Sequence, residues 1–184
     1  IPNMVYLAPS NAEEYIAMLD WALDQDKHPV YIAIPSGPVI HAEGPVRTNF
    51  DALNTYEVTR KGSKVAVLAL GDFYDLGEKT VEALSSTLGI EATLVKPYFA
   101  SGVDKDLLDN LVKDHDVIVT IEDGIIEGGW GQNIASYLGT SSARVLNYGA
   151  KKAFYDRVNI VDLMRESHLD PELIAADVKQ VLGL

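Results

Sequence analysis

The chain has 184 residues, of which 47% are hydrophobic, and it carries a formal net charge of −12 and no cysteine. This composition predicts a packed domain and excludes disulfides and thiolate chemistry. It argues against nucleic acid as a partner, because binding phosphates requires clustered Lys and Arg. No run of 18 apolar residues occurs, so we expect no membrane partner. A cysteine-free chain suits a reducing cytoplasm, where we expect the protein to be located.

Residues 1–37 are predicted to form a strand, a helix and a second strand, with the strands at 5–8 and 30–34. Ser10 and Glu13 predict a capping box at the start of the helix. The apolar face of this helix is predicted from Ile16, Leu19, Ala22 and Leu23. Because the chain opens on an apolar strand without an initiator Met, we expect it to be the C-terminal piece of a larger enzyme.

Residues 38–62 contain several Pro, Gly and Asn residues and show little regular period, which predicts a linker. Residues 63–184 alternate strands with helices, which predicts an α/β fold with a mostly parallel sheet. The predicted strands span 65–70, 91–95, 117–121 and 143–146. The predicted helices span 76–88, 104–113, 130–138, 160–168 and 171–182, with Gly89 ending the first and Pro171 opening the last.

An acidic, glycine-rich segment follows the predicted strand at 117–121. It contains Glu122, Asp123 and Glu127, and then Gly128-Gly129-Trp130-Gly131 opens a helix. Ligands of α/β sheets collect at this edge, and glycines before a helix can cradle a phosphate. The acids would repel a phosphate, so close packing by the glycines and helix capping by the acids form the competing interpretation. Two adjacent carboxylates are too few to predict a metal site.

His41 is the candidate acid, base or polar clamp, because it follows the end of the 30–34 strand. A loop histidine without function is the alternative. His28 and His115 precede predicted strands and are interpreted as turn residues. No Ser/His/Asp spacing indicates nucleophilic catalysis. A small basic island either binds a phosphate or solvates a loop, and it consists of Lys151, Lys152 and Arg157.

Four segments resemble, in their order and separation, the C-terminal part of the transketolase-like thiamine-diphosphate-dependent enzymes. They are most similar to the 1-deoxy-D-xylulose-5-phosphate synthases of that group. The segments are residues 1–10, the Pro-x-Gly at 35–37, the Glu-Asp and Gly-Gly-x-Gly of 122–131, and residues 169–174. The resemblance implies three parts: the C-terminal remnant of a pyrimidine-binding domain at 1–37, a linker at 38–62, and a three-layer transketolase C-terminal domain at 63–184.

The same resemblance implies a parent transferase that joins a two-carbon unit from pyruvate to an aldehyde acceptor, of the isoprenoid-precursor type. It implies thiamine diphosphate and Mg²⁺ in the parent, held by upstream pyrophosphate- and pyrimidine-binding regions, and no catalytic, cofactor-binding or metal-binding residue on this chain. The chain alone would be inactive and would contribute to a homodimer and to the acceptor side of the site. The alternatives are the C-terminal part of a transketolase or of a 2-oxoacid dehydrogenase β-type subunit, or a non-catalytic paralogue acting as an interaction module.

Two positions depart from the synthase pattern. The family's Arg-Tyr-Pro-Arg-Gly aligns with Ala33-Ile34-Pro35-Ser36-Gly37, so Ala33 replaces an arginine that helps to bind the phosphate of the acceptor. A second phosphate-binding arginine of the family aligns with Tyr98. A phenol offers one neutral hydrogen bond where a guanidinium offers a charged fork. We therefore expect an unphosphorylated acceptor, or a phosphate held elsewhere, with the basic island as its candidate site. His41, Tyr98 and Ser36 are the candidate substrate-binding residues.

Overall fold

The strands divide between two sheets in the computed structural model, which describes residues 1–34 and 37–184. The smaller sheet pairs β1 (Val5–Leu7) in parallel with β2 (Val30–Ile32). The larger sheet has the order β3-β5-β4-β6-β7, in which only β3 is antiparallel to its neighbour. Its strands are β3 (Glu57–Arg60), β4 (Lys64–Ala69), β5 (Thr93–Lys96), β6 (His115–Ile125) and β7 (Arg144–Ala150).

Helices connect the strands and cover both faces of the larger sheet. They are α1 (Ala12–Asp24), α2 (Tyr74–Leu88), α3 (Lys105–Asp114), α4 (Trp130–Tyr137), α5 (Ile160–Glu166) and α6 (Pro171–Leu182). Gly89 ends α2 in the left-handed conformation, and Pro171 opens α6, as the sequence predicts. No helix of the described residues combines the length and apolarity needed to cross a bilayer.

The side chains of β4 alternate between two hydrophobic cores, which explains why this strand is apolar throughout. Val65 and Val67 pack in the core shared with α2 and α6, whereas Ala66 and Leu68 pack in the core shared with α3 and α4. A strand buried on both faces is typical of a parallel sheet covered by helices. The predicted α/β class with a mostly parallel sheet and three layers is therefore confirmed.

A third core joins β1, β2 and α1 to the larger sheet. Phe50 and Phe99 are fully buried there, with Met18 and Trp21 of α1 packed beside them. Leu7 forms an antiparallel bridge with Phe99. The unit formed by β1, α1 and β2, called the first block from here on, is therefore attached to the rest of the chain by both apolar packing and backbone hydrogen bonds.

Helix α1 begins one residue later than predicted, so its predicted cap is wrong and its predicted apolar face is only partly right, with Ala22 packed against the third core. Asn11 is the N-cap, its side chain accepts from the backbone N–H of Glu14, and the Glu14 carboxylate accepts from the N–H of Ser10. The capping box is thus Asn11 and Glu14 with Ser10. This register turns Ile16 and Leu23 outward, with 53% and 76% of their surface exposed.

The interpretation of 38–62 as irregular is also wrong in part. Its last residues form β3, and Phe50 in its middle is fully buried. His115 is not a turn residue either, because it starts β6 and is buried. Its Nδ1 lies 2.8 Å from the carbonyl oxygen of Leu111, and its Nε2 lies 2.7 Å from Oγ1 of Thr93.

Candidate functional site

A cavity of about 710 Å³ lies where the first block, residues 40–47 and the larger sheet meet. It brings together two of the predicted site residues, His41 and Tyr98. Ser36, the third, lies outside the described residues. The other polar and charged side chains of its lining are Ser10, Asn11, Glu14, Glu43, Arg47, Glu57, Thr59, Tyr74, Asp75, Glu78 and Lys96.

Residues 40–42, which line the cavity, are hydrogen-bonded to α1, and His41 makes one of these contacts. Its Nδ1 lies 2.8 Å from Oε1 of Glu13, and the backbone N–H of Ala42 donates to Oε2 of the same carboxylate at 2.7 Å. The backbone N–H of Ala12 donates to the carbonyl of Ile40. The hydrogen bonds from His41 and Ala42 lower the pKa of Glu13 to about 2. The His41 side chain itself is mostly exposed at the rim of the cavity.

Tyr98 lies at the base of the cavity with its hydroxyl already engaged. That hydroxyl donates to Oε2 of Glu57 at 2.5 Å, and only 3% of the residue is exposed. The Arg47 guanidinium lies 5.4 Å from the centre of the Tyr98 ring. Burial and the Glu57 carboxylate raise the pKa of Tyr98 above its ordinary value. Tyr98 therefore shapes the cavity and is poorly placed to donate to a ligand.

The two cationic side chains that line the cavity, Lys96 and Arg47, also make contacts within the protein. Lys96 Nζ lies 2.7 Å from Oε1 of Glu14 and 4.1 Å from the ring centre of Tyr74. Arg47 donates to the carbonyls of Asn49, Ala52 and Thr55 and lies over three aromatic rings. These cations stabilise the fold around the cavity instead of facing it as unpaired charges.

The carboxylates outnumber these cations. Five line the cavity: Glu14, Glu43, Glu57, Asp75 and Glu78. Burial raises the pKa of Glu78, and the charges of Asp75, Glu82 and Glu43 act in the same direction, against the opposing effect of Lys96. Three of these carboxylates are already engaged by protein donors: Glu14 by Lys96, Glu57 by Tyr98 and Asp75 by Lys79. Glu43 and Glu78 would repel an anionic ligand and could accept hydrogen bonds from hydroxyl or amine donors.

The acidic, glycine-rich segment serves packing and capping. The buried Glu122 carboxylate accepts from the backbone N–H groups of Trp130 and Gly131 at 2.9 and 2.8 Å. A Cβ on Gly131 would collide with Oγ1 of Thr120. Burial raises the pKa of Glu122, and the two N–H donors oppose that rise. Since a carboxylate already occupies the start of α4, the phosphate-cradle interpretation is wrong, and the competing one is confirmed for Gly131 and Glu122.

Asp72 and Asp123 lie at the carboxyl ends of β4 and β6, beside a small cavity of about 70 Å³. Burial and the charge of Asp123 raise the pKa of Asp72. Ala33 lines this small cavity, away from His41 and Tyr98. Within residues 1–34 and 37–184, no three His, Asp or Glu side chains converge in a way that could hold a metal ion.

The other predicted candidates are not part of the large cavity. Lys151, Lys152 and Arg157 are exposed, and the backbone N–H of Lys152 donates to Glu127. Glu14, Lys96 and Arg47 were missed by the sequence analysis. None of the three belongs to a sequence motif that would distinguish it from an ordinary charged residue, so only the tertiary contacts identify them.

The described residues do not fit a diphosphate cofactor or its metal. The glycine-rich start of α4 is occupied by the Glu122 carboxylate, and the large cavity is dominated by acids. A diphosphate needs free N–H donors or cations to balance its charge.

The mostly parallel sheet, covered by helices on both faces and joined to a βαβ block, defines the chain as a three-layer α/β domain protein. The sequence model of the family described as "Transketolase, C-terminal domain" matches residues 54–174, and the chain belongs to this family.

Relatives named 1-deoxy-D-xylulose-5-phosphate synthase match over nearly the whole chain. That of Clostridium tetani is 30% identical over 99% of this chain, and that of Pseudoalteromonas translucida is 36% identical over 100% of it. The chain covers 29% of the length of each of these relatives.

Solved structures give the same fold. A split-gene transketolase, described as an inactive beta4 tetramer, superimposes with a TM-score of 0.76 at 25% identity. It covers 100% of this chain, and this chain covers 59% of it. A Pichia stipitis transketolase gives a TM-score of 0.72 at 16% identity over 97% of this chain and 25% of its own length, which supports the fold alone.

Proposed function

We propose that this chain is the C-terminal part of a thiamine-diphosphate-dependent transferase resembling 1-deoxy-D-xylulose-5-phosphate synthase. The observation that carries the proposal is the similarity of the synthases over essentially the whole chain, the first block included. Residues 1–37 then belong to a pyrimidine-binding domain, 38–62 to a linker and 63–184 to the C-terminal domain. The cofactor and Mg²⁺ are bound by upstream regions, so this chain alone is inactive.

The acceptor in this proposal is an aldehyde without a phosphate. His41 and Tyr98 lie in one cavity whose carboxylates outnumber its cations, and both cations are engaged by the protein. Ala33 and Tyr98 replace the arginines expected from the family. Together these features support a donor-rich, uncharged acceptor such as a short hydroxyaldehyde.

The test uses the chain with the polypeptide that supplies the upstream regions in the producing cells, recovered through a tag on this chain. Turnover of pyruvate or a ketose is measured with and without thiamine diphosphate and Mg²⁺, using glyceraldehyde and its 3-phosphate as acceptors. We expect cofactor-dependent turnover that favours glyceraldehyde. Absence of cofactor-dependent turnover with every donor contradicts the proposal.

A pair of variants on α2 tests the acceptor assignment separately. Glu78 lines the cavity, whereas Glu82, one turn later on the same helix, does not, and both residues are exposed. We expect Glu78→Lys to shift the preference toward the phosphorylated aldehyde, and Glu82→Lys, whose charge acts on Glu78 from outside the cavity, to shift it much less. Equal behaviour of the two variants would place the acceptor elsewhere.

The second candidate is a subunit without catalysis that acts through assembly. The observation that favours it is the split-gene transketolase described as an inactive beta4 tetramer, which covers this whole chain at 25% identity. This candidate predicts a stable homo-oligomer or a tight complex whose formation does not depend on the cofactor. The intact mass of the protein in freshly broken cells, and of whatever co-purifies with it, separates the two candidates.

A further inference from the structure

Among the described residues, the longest run of exposed residues extends from 151 to 162, between β7 and the first turn of α5. Residues 151–159, which we call the connecting segment, belong to no helix or strand. Phe154 in its middle is fully exposed. Exposed loops of this kind are preferred sites of proteolytic cleavage, because their backbone is within reach of a protease.

The connecting segment contains the basic island. Lys151, Lys152 and Arg157 therefore offer three bonds to a protease that cleaves after a basic residue. The side chain of Arg157 is 93% exposed and lies 3.9 Å from an equally exposed Asp156. Such a solvated pair contributes little energy, so the guanidinium can leave it for a carboxylate in the specificity pocket of a protease.

The connecting segment can move away from the body of the protein at low cost. A protease must draw the residues around the bond into its cleft as an extended strand, so the segment has to open locally. The contacts that hold it are exposed ones: the N–H of Lys152 donates to Glu127 at 3.1 Å, and the hydroxyl of Tyr155 donates to the carbonyl of Lys151. Helix α5, which follows, contributes no buried residue. Opening therefore exposes little apolar surface.

The lysines of two shorter connections are held more firmly. The carbonyl of Lys27, between α1 and β2, accepts from the side chain of Asn3 at 3.0 Å. Lys61 lies between β3 and β4, and the next N–H, that of Gly62, donates to Oγ1 of Thr93 at 3.0 Å. A cut at either place requires the opening of backbone that is joined to a strand on both sides within a few residues.

Helix α6, which follows the connecting segment, is bound to the rest of the protein by its own contacts. Ile174 and Val178 are fully buried in the core shared with α2. The hydroxyl of Tyr148 on β7 donates to Oδ2 of Asp177 at 3.1 Å, and Nδ1 of His168 lies 2.8 Å from the same oxygen. The part of the chain beyond a cut therefore keeps the contacts that attach it to the sheet and to α2.

We infer that the connecting segment is a processing site for a protease that cleaves after basic residues, and that the cut protein remains one folded body. In the reaction, water adds across the peptide bond after Lys152 or Arg157. This leaves a carboxylate on that residue and a new amino group on Ala153 or Val158. The cut turns the attachment of α6 into binding between two polypeptides. The inference does not depend on the proposed enzymatic activity.

Limited digestion of the full chain with a small amount of trypsin, followed by mass spectrometry of the fragments, tests the site. We expect the first cut within the connecting segment. The variant that combines Lys151→Gln, Lys152→Gln and Arg157→Gln should be cut roughly tenfold more slowly or less, because cleavage then waits for a better-held segment to open. The matched control combines Lys27→Gln with Lys61→Gln and should leave the first cut unchanged. Circular dichroism shows that both variants fold.

Two further measurements on the cut protein test whether it stays assembled. The two fragments should elute together from a size-exclusion column in buffer and separately in urea. Thermal unfolding now separates two polypeptides, so the melting temperature of the cut protein should rise with its concentration, whereas that of the uncut protein should not.

Four results overturn the inference. The first cut could fall outside the connecting segment, or the triple variant could be cut as fast as the parent chain. The fragment that contains α6 could separate from the rest in buffer, or the melting temperature of the cut protein could be independent of concentration. The first two results refute the site, and the last two refute the continued assembly of the cut protein.

Discussion

The Nζ of Lys96 lies 2.7 Å from Oε1 of Glu14 and so joins the end of β5 to helix α1 across 82 positions of the sequence. Only 14% of the Lys96 side chain and 2% of the Glu14 side chain are exposed. The same Glu14 carboxylate accepts from the N–H and hydroxyl of Ser10. One buried acid therefore holds the first block, the helix cap and the larger sheet together.

Lys96→Met should lower the free energy of unfolding by about 3 kcal/mol, because it leaves the Glu14 carboxylate buried without its cation. Lys96→Met combined with Glu14→Gln should recover part of this loss, since the unpaired charge is then removed. Urea unfolding of the two single variants and the double variant measures the coupling. Strictly additive effects would contradict a direct interaction between the two side chains.

Gly131→Ala should destabilise the protein by about 1–3 kcal/mol, because its methyl group would collide with Oγ1 of the buried Thr120. Gly139→Ala, just after the same helix, is the control, since the nearest atoms lie 3.4 and 3.6 Å from the added carbon. Thermal unfolding of both variants makes the comparison. Equal stability would mean that the glycine-rich segment is not required for close packing.

Arg47→Lys should cost about 2 kcal/mol, because a lysine cannot reproduce the forked donation to Asn49, Ala52 and Thr55 or stack on the same aromatic rings. The control is Arg60→Lys. Arg60 pairs with Glu91 at an exposed position, and we expect a change below about 1 kcal/mol. Urea unfolding measures both. A loss from Arg60→Lys that matches the loss from Arg47→Lys would contradict the assigned role.

The Glu13–His41 contact should make the stability of the protein depend on pH in the acidic range. Because the pKa of Glu13 is lowered from 4.5 to about 2, its contribution is fully present above pH 4.5 and is lost as the pH falls toward 2. His41→Ala should return the pKa of Glu13 toward 4.5, although the N–H of Ala42 still donates. A carboxyl NMR titration measures this shift.

His28→Ala is the matched control for that titration, since His28 contacts Asn3 and not Glu13. It should leave the pKa of Glu13 at about 2. If His41→Ala also leaves the pKa of Glu13 unchanged, this histidine does not hold residues 40–42 to α1.

Local patterns determined most of the larger sheet and its helices. The continuous apolar run of β4 predicts a strand buried on both faces, and Gly89 and Pro171 predict the end of α2 and the start of α6. Such features depend on neighbours a few residues apart, so the sequence expresses them directly. The carboxyl ends of β6 and β7 were harder to predict from the sequence, because they are defined by pairing between distant residues such as Ile125 and Ala150.

Only part of the candidate site could be predicted from the sequence. Its analysis selected His41 and Tyr98, which the structure brings to one cavity, but it missed Glu14, Lys96 and Arg47. Nothing in the spacing of a charged helix residue reveals that it will meet a lysine 82 positions later.

By itself, therefore, the sequence determined the alternation of strands and helices, the acidic character of the chain and its resemblance to a family. Only the tertiary structure decided the register of α1, the burial of Phe50 in a segment predicted as a linker, and the capping role of Glu122. The physical reason is that periodicity and turn chemistry act over a few residues, whereas ion pairing, packing and the shape of a cavity depend on which distant segments meet in space.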